Sequence, residues 1–88
     1  MKLNEKCMKD VLKYAVDNTK ITDNGVCYGC KIHDVQEVLL SKYTLEESAY
    51  AVVKLRELGY IVLDCDKSWN HNNSISDVTY NGHLYLLS

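Results

Sequence analysis

The sequence predicts an α+β fold of the winged helix-turn-helix class, with three main helices, a small antiparallel sheet with a wing hairpin, and a short C-terminal helix. The first supporting observation is a T-x-x-E capping box at Thr44 and Glu47, followed by apolar residues at helical spacing. The second is Gly59, which stands where a left-handed residue closes many helices and precedes the β-prone run 60–62. In winged-helix domains, the third helix runs through such a glycine into the first strand of the wing. The predicted apolar face of this helix comprises Leu45, Ala49, Val52 and Leu55.

Length and composition limit the possible classes of protein. Eighty-eight residues, 47% hydrophobic and 25% charged, predict one globular domain over residues 1–88. No apolar run is long enough to cross a bilayer, and no signal core follows the N-terminal lysine, so we expect a cytoplasmic protein without a membrane partner. The net charge of −2 disfavours nucleic-acid binding, because domains that bind nucleic acid usually carry a basic excess.

A first helix is predicted at about residues 5–18, with Asn4 as its N-cap. Lysines recur on the side opposite its apolar face, which indicates either a solvated face or a row of phosphate contacts. These lysines are Lys2, Lys6, Lys9, Lys13 and Lys20.

The middle of the chain predicts a strand and a helix-turn-helix. Residues 26–32 read as one short strand, after a turn that ends in Asp-Asn-Gly. A second helix is predicted from Asp34, its cap, to about Lys42, with Val38 on its apolar face. A short turn at Tyr43 then leads into the third helix.

The C-terminal part predicts the wing and a last helix. Two β-prone runs, 60–65 and 75–80, flank a polar loop, and Thr79 is the predicted cap of a helix over residues 80–87. The predicted core includes Met8, Val11, Leu12, Ala15, Leu39, Val52, Leu55, Ile61 and Val78.

Two motifs in the C-terminal half resemble a known family. The helix motif L-x-x-x-G-[YL]-I is followed, after the wing loop, by a motif like I-x-x-[LVI]-T-x-x-G-H-x-[FY]-L. The pair resembles small bacterial, phage and prophage proteins, a domain of unknown function related to the YjcQ-like proteins. The resemblance implies a winged-helix fold and no particular ligand or reaction, and it is weakest over residues 19–43. The second motif here comprises Ile75, Val78, Thr79, Gly82, His83, Tyr85 and Leu86.

Catalytic and metal-binding motifs are sparse. No nucleophile-base arrangement, phosphate loop or cofactor motif is legible, and His83 at the start of a terminal helix more often has a structural role, so we expect no enzyme and no cofactor. Cys27-x-x-Cys30 with nearby His33 is a metal-like cluster, but a structural zinc site needs a complete ligand set. The prediction is therefore that these cysteines are free, at least partly buried thiols, and that a chelator does not destabilise the protein.

Duplex DNA is the first candidate partner, by analogy with the predicted fold. The exposed face of the third helix would then present Tyr50 and Lys54 to the duplex. Wing contacts would come from Lys67 with Trp69 or His71. Glutamates on the same helix oppose this interpretation because carboxylates repel phosphate; those predicted to face outward are Glu46, Glu47 and Glu57.

A protein partner is the alternative. An acidic third helix with Tyr50 and Val53 outward suits a protein surface better than phosphate. Trp69 in the wing loop would serve as an interface anchor, or else fold back on the sheet. A homodimer is the remaining possibility, because a short terminal helix cannot bury all of the apolar run 84–87 by itself.

Overall fold

The computed structural model describes residues 1–64 and 73–88, which form four helices and five short strands. This arrangement confirms the predicted α+β class and is compatible with a winged-helix arrangement. The elements in chain order are α1 (Glu5–Asn18), β1 (Lys20–Ile21), β2 (Cys27–Tyr28), β3 (Cys30–Lys31), α2 (Ile32–Leu39), α3 (Leu45–Glu57), β4 (Ile61–Leu63), β5 (Ser74–Val78) and α4 (Tyr80–Leu87).

Side-chain caps fix the starts of three helices. The Asn4 side chain accepts a hydrogen bond from the backbone N–H of Cys7 at 3.0 Å, at the start of α1. Thr44 and Glu47 form the reciprocal capping box of α3, and Thr79 accepts from the Gly82 N–H at the start of α4. Three of the four predicted caps are thus confirmed, because each depends only on residues close together in the chain.

The start of α2 differs from the prediction. The helix begins at Ile32 rather than after Asp34, its N-cap Lys31 makes no side-chain capping bond, and it ends at Leu39 rather than near Lys42. The backbone N–H of Ile32 donates to the Asn73 carbonyl at 2.9 Å, beside β5. A contact between distant parts of the chain therefore sets this boundary, and Asp34 lies in the first turn instead of capping it.

Residues 26–32 do not form the single strand that was predicted. They contain β2, which pairs with β1, and β3, which pairs with β5 in a different sheet. Gly29 separates these two strands. It lies so close to β5 that an added Cβ would stand 1.8 Å from the Ile75 carbonyl oxygen. The change of sheet thus occurs where a residue without a side chain is required.

The larger sheet has the strand order β3-β5-β4, and both pairings are antiparallel. Ile61 lies opposite Val78, and the register shifts between Val62 and Leu63. After α3, Gly59 adopts a positive φ of 74°, as predicted for the residue that closes the helix. The two strands of the predicted wing, β4 and β5, are paired with each other. Residues 65–72 of the loop between them lie outside the described part of the chain.

The core lies between α1, α2, α3 and the inner face of the larger sheet. All nine predicted core residues are buried, whereas Val38 and Leu45 were wrongly assigned inward and are 55% and 52% exposed. Because α2 starts earlier than predicted, its buried side comprises Ile32, Val35, Gln36 and Leu39. Within residues 1–64 and 73–88, no helix has the length and apolar character needed to cross a membrane.

Candidate macromolecular interface

The outer face of α3 carries the first predicted contact pair, Tyr50 and Lys54, and both side chains are partly buried. The Lys54 ammonium donates to a carboxylate oxygen of Glu57 at 2.9 Å and lies 5.1 Å from the centre of the Tyr50 ring. The hydrogen bond to Glu57 raises the pKa of Lys54, so the side chain stays protonated. Its charge is balanced within α3 itself, which weakens its attraction for phosphate.

Glu47 does not face outward as predicted. One of its carboxylate oxygens accepts from the Thr44 N–H at 3.0 Å, and the other accepts from the Asn4 side chain at 3.5 Å. These hydrogen bonds, with that from the Thr44 backbone the largest cause, lower the pKa of Glu47. Glu47 is a structural residue that links the start of α3 to α1, and Glu46 is the exposed carboxylate of this turn.

The predicted wing contacts cannot be placed beside this pair. Lys67, Trp69 and His71 all lie outside the described residues. Of the five candidate nucleic-acid contacts, the structure therefore positions Tyr50 and Lys54.

The lysine row on α1 is interrupted by the packing of α4. Lys9 donates to the Ser88 carbonyl oxygen at 2.9 Å, lies 5.4 Å from the Tyr85 ring centre, and is 3.8 Å from a Glu5 carboxylate oxygen. Lys9 therefore acts as a clamp on the end of α4. The lysines of the row that remain exposed are Lys2, Lys6, Lys13 and Lys20.

An apolar surface at the turn between α2 and α3 was missed by the sequence analysis. Leu40 and Leu45 are 55% and 52% exposed and line a groove of about 410 Å³, with the exposed carboxylate of Glu46 next in the chain. We call Leu40, Leu45 and Glu46 the turn surface. Leu45 matches the helical period of the apolar face of α3, so spacing alone gave no signal of its exposure, and Leu40 directly follows Leu39, the last buried residue of α2.

The backbone beneath the turn surface is held in place by partly buried hydrogen bonds. The Leu45 carbonyl accepts from the Gln36 side chain at 3.1 Å and from the Ser48 hydroxyl at 3.0 Å. The Tyr43 hydroxyl donates to Asp10 at 2.7 Å, and this bond raises the pKa of Tyr43 to about 12. The turn therefore presents its apolar side chains from a fixed backbone rather than from a loosely held loop.

The cysteine-histidine cluster is not assembled as a metal site. Cys27 and Cys30 are both free thiols, but Cys30 is buried and Cys27 is exposed, contrary to the predicted partial burial of both. Among the described residues, the one group of three ligand atoms within 4.8 Å of one another belongs to His33, Asp34 and Glu37, and it includes neither cysteine. All three of those side chains are exposed on the surface of α2.

Cys27 and His83 do line a common groove, of about 320 Å³, together with Asp77. Desolvation and the Asp77 carboxylate raise the pKa of the Cys27 thiol. A raised pKa keeps the sulfur protonated near neutral pH, which is the opposite of what a nucleophilic cysteine needs. The groove therefore brings together two residues noted in the sequence, of which Cys27 is a protonated thiol.

Comparison of the chain with models of protein families, with curated proteins and with solved structures found no match. The resemblance to the small phage and prophage proteins therefore stays a prediction.

Proposed function

We propose that the chain is a winged helix-turn-helix domain. Its elements run helix, strand, helix, helix, strand, strand through α1, β3, α2, α3, β4 and β5, with α4 added at the end. A short turn joins α2 to α3, and the strand pair β4–β5 follows α3 directly, as the wing of such a domain does. The pairing of β3 with β5 supports this assignment, because it joins the strand before the two helices to the wing.

As its function, we propose non-enzymatic binding of a protein partner through α3 and the turn surface. The observation that carries this proposal is the 2.9 Å hydrogen bond between Lys54 and Glu57. It neutralises Lys54, one of the two cations in the last turn of α3, which would otherwise be available to a phosphate. A helix that reads DNA needs free cations or neutral donors there, because phosphate contacts hold the protein in register.

The charges around the turn favour a basic partner. Residues 34–57 contain five carboxylates and three basic side chains, and Glu46 and Glu57 are exposed on α3. The groove lining itself carries one cation, Lys42, and one carboxylate, Glu47. Because Glu57 is already paired with Lys54, a basic amphipathic segment would place apolar side chains against Leu40 and Leu45 and a cation against Glu46.

A matched pair of variants tests this proposal. Leu45 and Leu58 are each 52% exposed and lie at opposite ends of α3, so Leu45→Ser and Leu58→Ser remove equal exposure at different places. The probe is a lysine-leucine amphipathic peptide of about 15 residues, titrated into ¹⁵N-labelled protein. We expect chemical-shift changes in residues 40–46 and affinity weakened about fivefold or more by Leu45→Ser alone. Shift changes confined to α1 or to α4, or equal effects of the two variants, would contradict the proposed surface.

Duplex DNA remains the second candidate, supported by the exposed lysines of α1. The exposed basic residues of the lysine row are Lys6 and Lys13 on α1, Lys2 before it and Lys20 after it. Contacts from this row would go to phosphates and would carry no sequence preference. This candidate therefore predicts weak binding that falls steeply with salt.

A further inference from the structure

The outer face of α4 is apolar and unusually exposed. Tyr80, Leu84 and Leu87 are 77%, 48% and 83% exposed. Their spacing of four and then three residues places them in one row along the helix. The apolar run 84–87 does not act as one group. Tyr85 and Leu86 pack against the core, whereas Leu84 and Leu87 are exposed in one row with Tyr80.

The helix that carries this row is fixed firmly to the domain. The Thr79 hydroxyl donates to the Gly59 carbonyl at 2.7 Å, and the Thr79 N–H donates to the Tyr60 carbonyl at 3.0 Å. The Tyr85 ring stacks on Tyr60 with ring centres 5.0 Å apart. The apolar row is therefore presented in a set orientation, and α4 cannot turn it inward without breaking these contacts.

The face contains no formal charge. Residues 80–87 include no lysine, arginine, aspartate or glutamate. Beside the C-terminal end of α4, the charges of Glu5 and Lys9 are 3.8 Å apart and offset each other. An uncharged face cannot select a partner by its charge. Two identical copies of it can therefore meet with little electrostatic cost.

We infer that the row of Tyr80, Leu84 and Leu87 on α4 is a contact between two copies of this chain. In an antiparallel, two-fold arrangement Leu84 meets its own copy, and Tyr80 of each chain lies beside Leu87 of the other. The row thus matches itself without any further partner. This contact goes beyond the proposed function and uses a different helix from the turn surface.

The size of the row sets the strength of the dimer. Stable interfaces bury about 1,200–2,000 Å² in total, and a row of one short helix per copy supplies less. The dimer is therefore weak and should form only at high protein concentration. Because the contact is apolar, its strength does not fall when salt is raised.

Sedimentation equilibrium from about 10 µM to about 1 mM protein tests the inference. We expect a concentration-dependent rise in mass for the unmodified chain, at both low and high salt, and none for Leu87→Asn. Leu87 is 83% exposed, so this variant should keep its fold, which circular dichroism and thermal unfolding check. Val38→Asn, at a valine that is 55% exposed on α2 and outside the turn surface, is the matched control and should still dimerise. A chain that stays monomeric throughout this range, or a dimer that Leu87→Asn leaves intact, would overturn the inference.

Discussion

The backbone carbonyl of Tyr60 lies so close to Gly82 that a Cβ added to Gly82 would stand 2.3 Å from the carbonyl oxygen. The same oxygen accepts a hydrogen bond from the Thr79 N–H at 3.0 Å. The first turn of α4 is therefore seated on the junction between α3 and β4. The closeness of this contact explains a glycine in a position where glycine normally weakens a helix.

Gly82→Ala is expected to destabilise the protein, although this substitution usually stabilises a helix. The added methyl group must displace the Tyr60 backbone, which costs about 1–3 kcal/mol and exceeds the gain in helix propensity of roughly 0.5–1 kcal/mol. Urea unfolding measures the difference, with Asn81→Ala as the control, because Asn81 is exposed on the same turn. A stabilised Gly82→Ala variant would show that α4 does not sit on Tyr60.

Leu55→Ala tests the inner face of α3. Leu55 is 0% exposed, so the substitution should lower the free energy of unfolding by ~2–5 kcal/mol. Leu58→Ala at the end of the same helix removes a side chain that is 52% exposed and should change stability by ~0.5 kcal/mol or less. Equal losses in the two variants would mean that the buried face of α3 has been misassigned.

The contribution of Glu47 should depend on pH. Hydrogen bonds lower its pKa in the folded chain from the ordinary value of 4.5, so its contribution to stability is present above that value. As the pH falls through the lowered pKa the carboxylate is protonated and the contribution is lost. Chemical unfolding of wild type and Glu47→Gln between about pH 7 and about pH 3 should therefore show a stability difference that shrinks on the acid side. A stability difference that grows as the pH falls would contradict the lowered pKa of Glu47.

The thiols should react in an order set by burial. In the Cys65→Ser variant, a thiol-reactive disulfide reagent at about pH 8 should label Cys27 before Cys30 and Cys7. Cys7 is 0% exposed, and burial raises its pKa to about 11, so it should react slowest. Asp77→Asn should speed the labelling of Cys27, because the Asp77 carboxylate helps to raise the pKa of that thiol. Fastest labelling at Cys7 would contradict the packing of α1 against α3.

The predictions that held were local ones. The caps at Asn4, Thr44 and Thr79 and the glycine closure at Gly59 each depend on residues within about one helical turn, which the sequence displays directly. The start of α2 failed because it depends on a hydrogen bond from Ile32 to Asn73, 41 positions away in the chain. No helical period within residues 26–42 carries that information.

The candidate site was only partly legible for a related reason. Lys54 was predicted to be the outward cation of α3. Its spacing from Glu57 allows the observed ion pair, but spacing alone does not show that the pair forms. Glu47 was assigned outward because its angle on the helix is outward, although its carboxylate turns back to the Thr44 and Asn4 side of the turn. The turn surface was missed because Leu45 matches the period of the apolar face of α3, although it lies exposed in the first turn of the helix.

The most direct measurement is the salt dependence of duplex binding by wild type and by Lys54→Ala. Fluorescence anisotropy with a labelled DNA duplex at ~50 mM and ~200 mM salt gives both the affinity and the slope. Lys13→Ala is the control, since Lys13 is an exposed lysine on α1. Because Lys54 is held by Glu57 and any phosphate contacts are expected from the exposed lysines of the α1 row, we expect Lys54→Ala to leave any binding and its salt slope nearly unchanged. A clear loss of affinity in Lys54→Ala, with a salt slope reduced by about one unit, would show that α3 contacts phosphate and would contradict the account.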